Sequence, residues 1–162
     1  MKQSFWFFGA HVSIVADEQA TTGCYDLIEG DFTPGSATPW HLHKAYTEDI
    51  YVLEGELTVH TKDQTTVLRA GENALIPAGI AHRVVGSSAG PARALTVASP
   101  SGFARLIRTL GAPAVVGSKP AGAPNLIKAA LALAEGGDEM LGVLGVLMSV
   151  AKWWGKLTAK AA

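Results

Sequence analysis

Cysteine is almost missing from this chain of 162 residues, where Cys24 stands alone. An intrachain disulfide is therefore excluded, and so is a structural zinc site built from several thiolates. A single thiol also suits a reducing compartment, and a cytoplasmic location is the expectation. An excess of one charge is missing as well. Thirteen Lys and Arg face 14 Asp and Glu, for a net charge of −1 at pH 7. No basic stripe is available to recruit nucleic acid. No glycine-rich loop is built to cradle phosphate, and no Ser-His-Asp or Cys-His arrangement offers an activated nucleophile. The N-terminal apolar residues superficially suggest a secretory leader. His11 interrupts that run, one charge precedes it and no small-residue cleavage pattern follows, so strands over 5–8 and 11–16 are expected instead.

What remains is a moderately apolar sequence, 48% hydrophobic and 17% charged, of a size that one folded domain fills. Most of it consists of short apolar runs separated by Gly, Pro, Asn and Asp. That texture predicts an all-β barrel or sandwich. After the first two strands, a polar turn over 17–23 returns the chain along 24–29. A strand opening at Glu48 runs through Ile50, Tyr51, Val52 and Leu53. A turn at Glu54-Gly55-Glu56 then pairs it with 57–61 as a hairpin. Lys62-Asp63-Gln64 makes a second tight turn into 65–69. Short strands over 74–76, from His82 through Val85, and over 93–98 complete the set.

Three of the five histidines and one carboxylate fall inside a single glycine-bracketed stretch, 35–86. His41 and His43 are two apart, so on a strand their imidazoles share a face while Trp40 and Leu42 point the other way. Glu48 follows after a polar break over 44–47. His82 opens a later strand behind the turn made by Pro77 and Gly79. His41, His43, Glu48 and His82 are thus candidate ligands of one metal ion. Imidazole and carboxylate together suit one divalent transition metal: iron, manganese, nickel, cobalt, copper or zinc. Four protein ligands in a six-coordinate shell leave two open positions, the arrangement of a catalytic site rather than a structural one. His11 and His60 lack such spacing and read as ordinary strand residues.

These two segments resemble the paired motifs of the cupins. Gly35, His41, His43, Glu48 and Gly55 match the first motif, and Gly71, Pro77, Gly79 and His82 match the second. Gly86 stands where the second motif has Asn, which is not a ligand position. The resemblance covers roughly residues 5–110. It implies a double-stranded β-helix (a jelly-roll barrel) with the metal inside.

Beyond the barrel, Ser99 reads as an N-cap with Pro100 at the first helical position. Phe103, Leu106, Ile107 and Leu110 form one stripe at helical spacing, and Gly111 stops the helix. Core packing is the expected task of Phe103. The predicted organisation is a barrel with a closing helix over 1–111, a linker over 112–124 and a C-terminal helical hairpin over 125–162. In that hairpin Asn125 and Asp138 are the caps. Its second helix is apolar on every side near Met140 to Ala151, shorter than the roughly 20 residues of a membrane span. Packing on the barrel or on a second subunit is expected, with a homodimer as the assembly. Contact with a membrane surface through Lys152, Trp153, Trp154 and Lys156 is the other reading.

A metal among apolar walls predicts a small-molecule substrate, aromatic or otherwise apolar, with Ile50 and Val52 inward beside Glu48. The motif layout and the segment Ser99-Pro100-Ser101-Gly102-Phe103 look like the single-domain cupins similar to bacterial quercetin 2,3-dioxygenase. That likeness implies an oxygenase using dioxygen, with Glu48 as the catalytic base. Two other functions stay open: a non-redox metal-dependent lyase, isomerase or polyketide cyclase, and a binding module without turnover.

Overall fold

In the computed structural model, the described residues are 3–114 and the backbone of 138–140. Two antiparallel sheets face each other. The first has seven strands: β1 (Gln3–Phe7), β2 (Ala10–Ala16), β3 (Asp26–Phe32), β5 (Thr47–Glu54), β8 (Asn73–Ile76), β10 (Ala92–Ser99) and β11 (Ala112–Pro113). Their spatial order is β11-β1-β2-β3-β10-β5-β8. The second has five: β4 (His41–His43), β6 (Glu56–Thr61), β7 (Thr65–Arg69), β9 (His82–Gly86) and β12 (Asp138–Met140), in the order β12-β4-β9-β6-β7. This is the all-β, double-stranded β-helix architecture expected from the motifs. Burial alternates along the strands, as a two-residue period demands when one face meets the core. In β5, Glu48, Ile50 and Val52 are buried, whereas Asp49, Tyr51 and Leu53 are not.

The expected pairing of β5 with β6 does not form. β5 pairs with β10 and β8, and β6 pairs with β7 and β9. At Gly55 the chain passes from one sheet to the other. Its φ is +74°, and a Cβ there would lie 2.3 Å from the Pro91 carbonyl oxygen. Only glycine allows the backbone so close while turning left-handed. The second expected hairpin is present. Thr61 N–H donates to Gln64 O at 2.8 Å, and β6 and β7 pair in register on either side.

The polar turn after β2 contains one turn of helix, α1 (Glu18–Thr21), whose first amides bond to the Asp17 carboxylate. Helix α2 (Phe103–Leu110) begins later than the Ser99-Pro100 signal suggests. Ser99 ends β10, and its hydroxyl donates to Cys24 O. The cap comes from far away in sequence: Asp26 Oδ2, on β3, accepts from Gly102 N and Ala104 N at 2.8 Å each. That carboxylate sits at the positive end of the helix. The helix stops at Gly111 as expected, with Gly111 N donating to Ile107 O.

Two readings of the C-terminal part change. Ala112 and Pro113, expected in a linker, pair with Trp6 and Phe5 on β1. Asp138, expected as a helix cap, opens β12, which pairs with β4 from Asp138↔His43 to Met140↔His41. The remainder of the linker and of the helical hairpin lies outside the described residues. Among the described residues no helix is long and apolar enough to cross a membrane.

The barrel interior holds two packed clusters. One is aliphatic, built on Ile50, Val52, Leu57, Val59, Leu68 and Val84. The other is rich in aromatics, with Phe7, Tyr46 and Phe103 packed among Val12, Ile28 and Ile107.

Candidate metal centre

β4 pairs with β9 through His41↔His82, so these two imidazoles start side by side. His43, two residues along β4, shares their face. Glu48 comes from the other sheet, where it pairs with Ala98 and Ile76 on its flanking strands. The site therefore bridges the two layers of the barrel. One ligand atom from each of His41, His43, Glu48 and His82 lies within 4.8 Å of every other. All four residues singled out in the sequence are brought together. His43, Glu48 and His82 are buried, and His41 is the most exposed of the set.

The backbone fixes the ring tautomers. His41 Nδ1 lies 2.8 Å from Pro39 O, and His82 Nδ1 lies 3.0 Å from Ile80 O. A carbonyl oxygen only accepts, so each Nδ1 carries the proton and each Nε2 turns a lone pair towards the centre. Glu48 Oε2 lies 3.0 Å from His82 Nε2 and 3.3 Å from His43 Nε2. A neutral His82 with its proton on Nδ1 would set lone pair against lone pair at its distance from Glu48. A proton or a cation must lie between them. Two ligand atoms at right angles, each about 2.1 Å from one ion, stand ~3.0 Å apart. The donor set and its spacing therefore fit a divalent transition metal.

Electrostatics point the same way. Desolvation pushes the His41 imidazole down to about 3, helped by the neighbouring His82 and His43 rings. It stays neutral, the form that binds metal. Burial pushes Glu48 up, but the hydrogen bonds and charge of His43 and His82 outweigh this and hold its carboxyl below the usual range. The Glu48 carboxylate is the one negative charge that the four residues offer a cation.

The turn of the second motif braces this arrangement. Pro77 to Ile80 is a tight turn with Gly79 at φ +82°, where glycine is favoured. Gly79 N donates to His43 O at 2.7 Å, tying the approach to His82 onto β4. Gly86, in place of the motif's Asn, also has a local cause. A Cβ there would meet Ser36 Oγ at 2.9 Å and Thr33 O at 3.0 Å, because Gly86 N bonds back to Ser36 O.

Tyr46 went unnoticed in the polar break, although its ring is 1% exposed. It stacks on His43 with centroids 4.4 Å apart and planes at 22°. An aromatic between the ligands of one site was the available signal. Phe103 has its expected core role and also a second one, since its ring lies 5.9 Å from His43 and lines the cavity. That cavity, about 60 Å³ as traced by the centre of a water molecule, opens over the ligands. Its walls are mainly apolar, with Phe7, Phe8, Phe32 and Leu106 from outside the motifs. Ile50 lines it as expected, whereas Val52 packs in the aliphatic cluster instead. His11 and His60 stay away from the site, against Asp31 and Thr65 respectively.

Comparison with known proteins agrees with this geometry. Residues 29–98 match the family model described as a cupin domain. Over those residues, which hold all four candidate ligands, the chain is similar to the cupins. It is 31% identical over 100 residues to quercetin 2,3-dioxygenase of Bacillus subtilis, a match that covers 62% of this chain and 29% of that protein. It is 42% identical over 60 residues to oxalate oxidase GF-2.8 of Triticum aestivum, covering 32% and 27%. The chain thus spans less than a third of the length of these two curated relatives. Among solved structures, the polyketide cyclase RemF of Streptomyces resistomycificus superimposes with a TM-score of 0.52 at 28% identity, covering 57% of this chain and 66% of that one.

Proposed function

We propose that this cupin is a metal-dependent oxygenase acting on a small aromatic molecule, in the manner of a quercetin 2,3-dioxygenase. The observation that carries the reading is the position of the His41, His43, Glu48 and His82 cluster, buried at the base of an aromatic-walled cavity. The likeness to the Bacillus subtilis dioxygenase supports it. When bound, the metal would supply Lewis acidity, redox capacity and open positions beside the substrate.

The chain's own residues do the rest. His41, His43 and His82 hold their Nε2 atoms on one centre by anchoring Nδ1 or by packing on Tyr46. The phenyl walls bind and orient an aromatic ring and exclude bulk water. Glu48 is the one member of the set able to take a proton from substrate while remaining in the site. Held ionised by its neighbours, it acts as the general base at Oε2. The test combines elemental analysis with oxygen uptake on a panel of aromatic diols. Oxygen consumption that needs both metal and diol is expected. Metal-loaded protein that consumes none with any diol overturns the oxygenase reading.

The likeness to the RemF cyclase favours a second reading, non-redox chemistry on the same site. Here a bound metal would supply Lewis acidity alone, and Glu48 would again move the proton. Turnover that continues without dioxygen would select it over the first.

A further inference from the structure

Across β2, β3, β10, β5 and β8, one inward row reads Ile14, Ile28, Thr96, Ile50 and Ala74. Thr96 is its single polar member. Along β10 the other buried inward residues are Ala92, Ala94 and Ala98, packed in the two core clusters. Thr96 is 8% exposed and lines the cavity. No hydrogen bond joins its hydroxyl to another described residue. Its hydroxyl is not sealed from solvent, so a ligand that enters the cavity can reach it and bond it.

Among the described residues three hydroxyls line this cavity, and they differ in what they do. Thr38 Oγ1 already accepts from Val84 N at 2.9 Å. Ser36 Oγ is buried without a partner, beside Gly86 where the two sheets approach. Thr96 sits opposite Ile50, one inward row from Glu48 and so about 7 Å away along the strand. That separation is close to the length of a substituted benzene ring. Among the described residues no Lys or Arg lines the cavity, so none of them balances a carboxylate or phosphate on a ligand.

We propose that Thr96 is a specificity-determining residue: its hydroxyl bonds a polar atom on the end of a neutral aromatic substrate that points away from the metal ligands. The substrate class that follows is an uncharged ring with oxygen functions at both ends. This deepens the small-molecule reading of the site and rests on it. The apolar walls supply most of the binding, and Thr96 selects among rings of similar shape.

The test uses 4-(hydroxymethyl)catechol and 4-ethylcatechol, which exchange OH for CH₃ at the end remote from the diol. Both are titrated calorimetrically, without dioxygen, into protein of measured metal content. The wild type is expected to favour the hydroxymethyl compound about five- to tenfold. Thr96→Val keeps the shape and should reduce that preference to within twofold, and Thr96→Ser should retain it. Unaltered preference in T96V overturns the assignment. So does a loss confined to Ser36→Ala, or a wild type that binds both compounds equally or neither. Oxygen uptake with the same diols is recorded separately. Its absence would end the oxygenase reading while leaving the binding result on Thr96 intact.

Discussion

The two ends of the barrel interior are built for different ends. The aliphatic end is filled: Val52 and Leu57 are fully buried, and Val59, Leu68 and Val84 close around them. The aromatic end is left partly hollow, with rings from β1, β3 and α2 around a polar cluster. The filled end supplies stability through close packing. The hollow end spends that stability on a place where a ligand and an ion can sit. Mutations should therefore separate by location, with losses of fold at one end and losses of metal or turnover at the other.

Four experiments sharpen or break this division. The greatest effect is expected from His41→Ala, His43→Ala and His82→Ala, each of which should remove most of the bound metal while the barrel stays folded. Circular dichroism beside elemental analysis reads both, and full metal in all three variants would break the division. Glu48→Gln comes next. Turnover should fall by about a hundredfold or more, the scale of general-base catalysis, with a smaller loss of metal. Equal loss of both would make Glu48 a ligand alone.

At the filled end, Leu57→Ala should destabilise the protein by about 2–5 kcal/mol through cavity formation, with metal stoichiometry unchanged. Urea unfolding checks the first half, and metal analysis the second. The smallest effect concerns pH. A free imidazole loses its metal-binding form as it protonates near 6.5, but His41 is lowered to about 3. Its lone pair thus remains available well below neutrality. Metal retained on dialysis should be nearly the same at pH 7.5 and pH 5.5. A sharp loss centred near 6.5 would contradict this expectation.

The ligand end was legible in the sequence because its signal is local. His41 and His43 at two-residue spacing, and His82 behind Pro77 and Gly79, carry their geometry in a few residues each. The walls were not. Phe7, Phe32 and Leu106 reach the cavity through strand order and helix docking, which no local window contains. The cap of α2 shows the same limit: the local signal at Ser99-Pro100 is overridden by Asp26, 76 residues from Gly102. The crossing at Gly55 looks like a hairpin turn in sequence. The close approach of Pro91 that makes it a passage between sheets is a tertiary fact. Tyr46 was hidden by its neighbours Lys44 and Thr47, whose polarity masked the single ring that packs on His43.

The central claim is that three imidazoles and one carboxylate share one cation. Its most direct measurement is metal stoichiometry after the purified protein is incubated with a divalent transition metal and dialysed against buffer. The account predicts about one ion per chain, with X-ray absorption showing nitrogen and oxygen neighbours only, imidazole among them. Protein that retains no ion after exposure to iron, manganese, cobalt, nickel, copper and zinc in turn would contradict it.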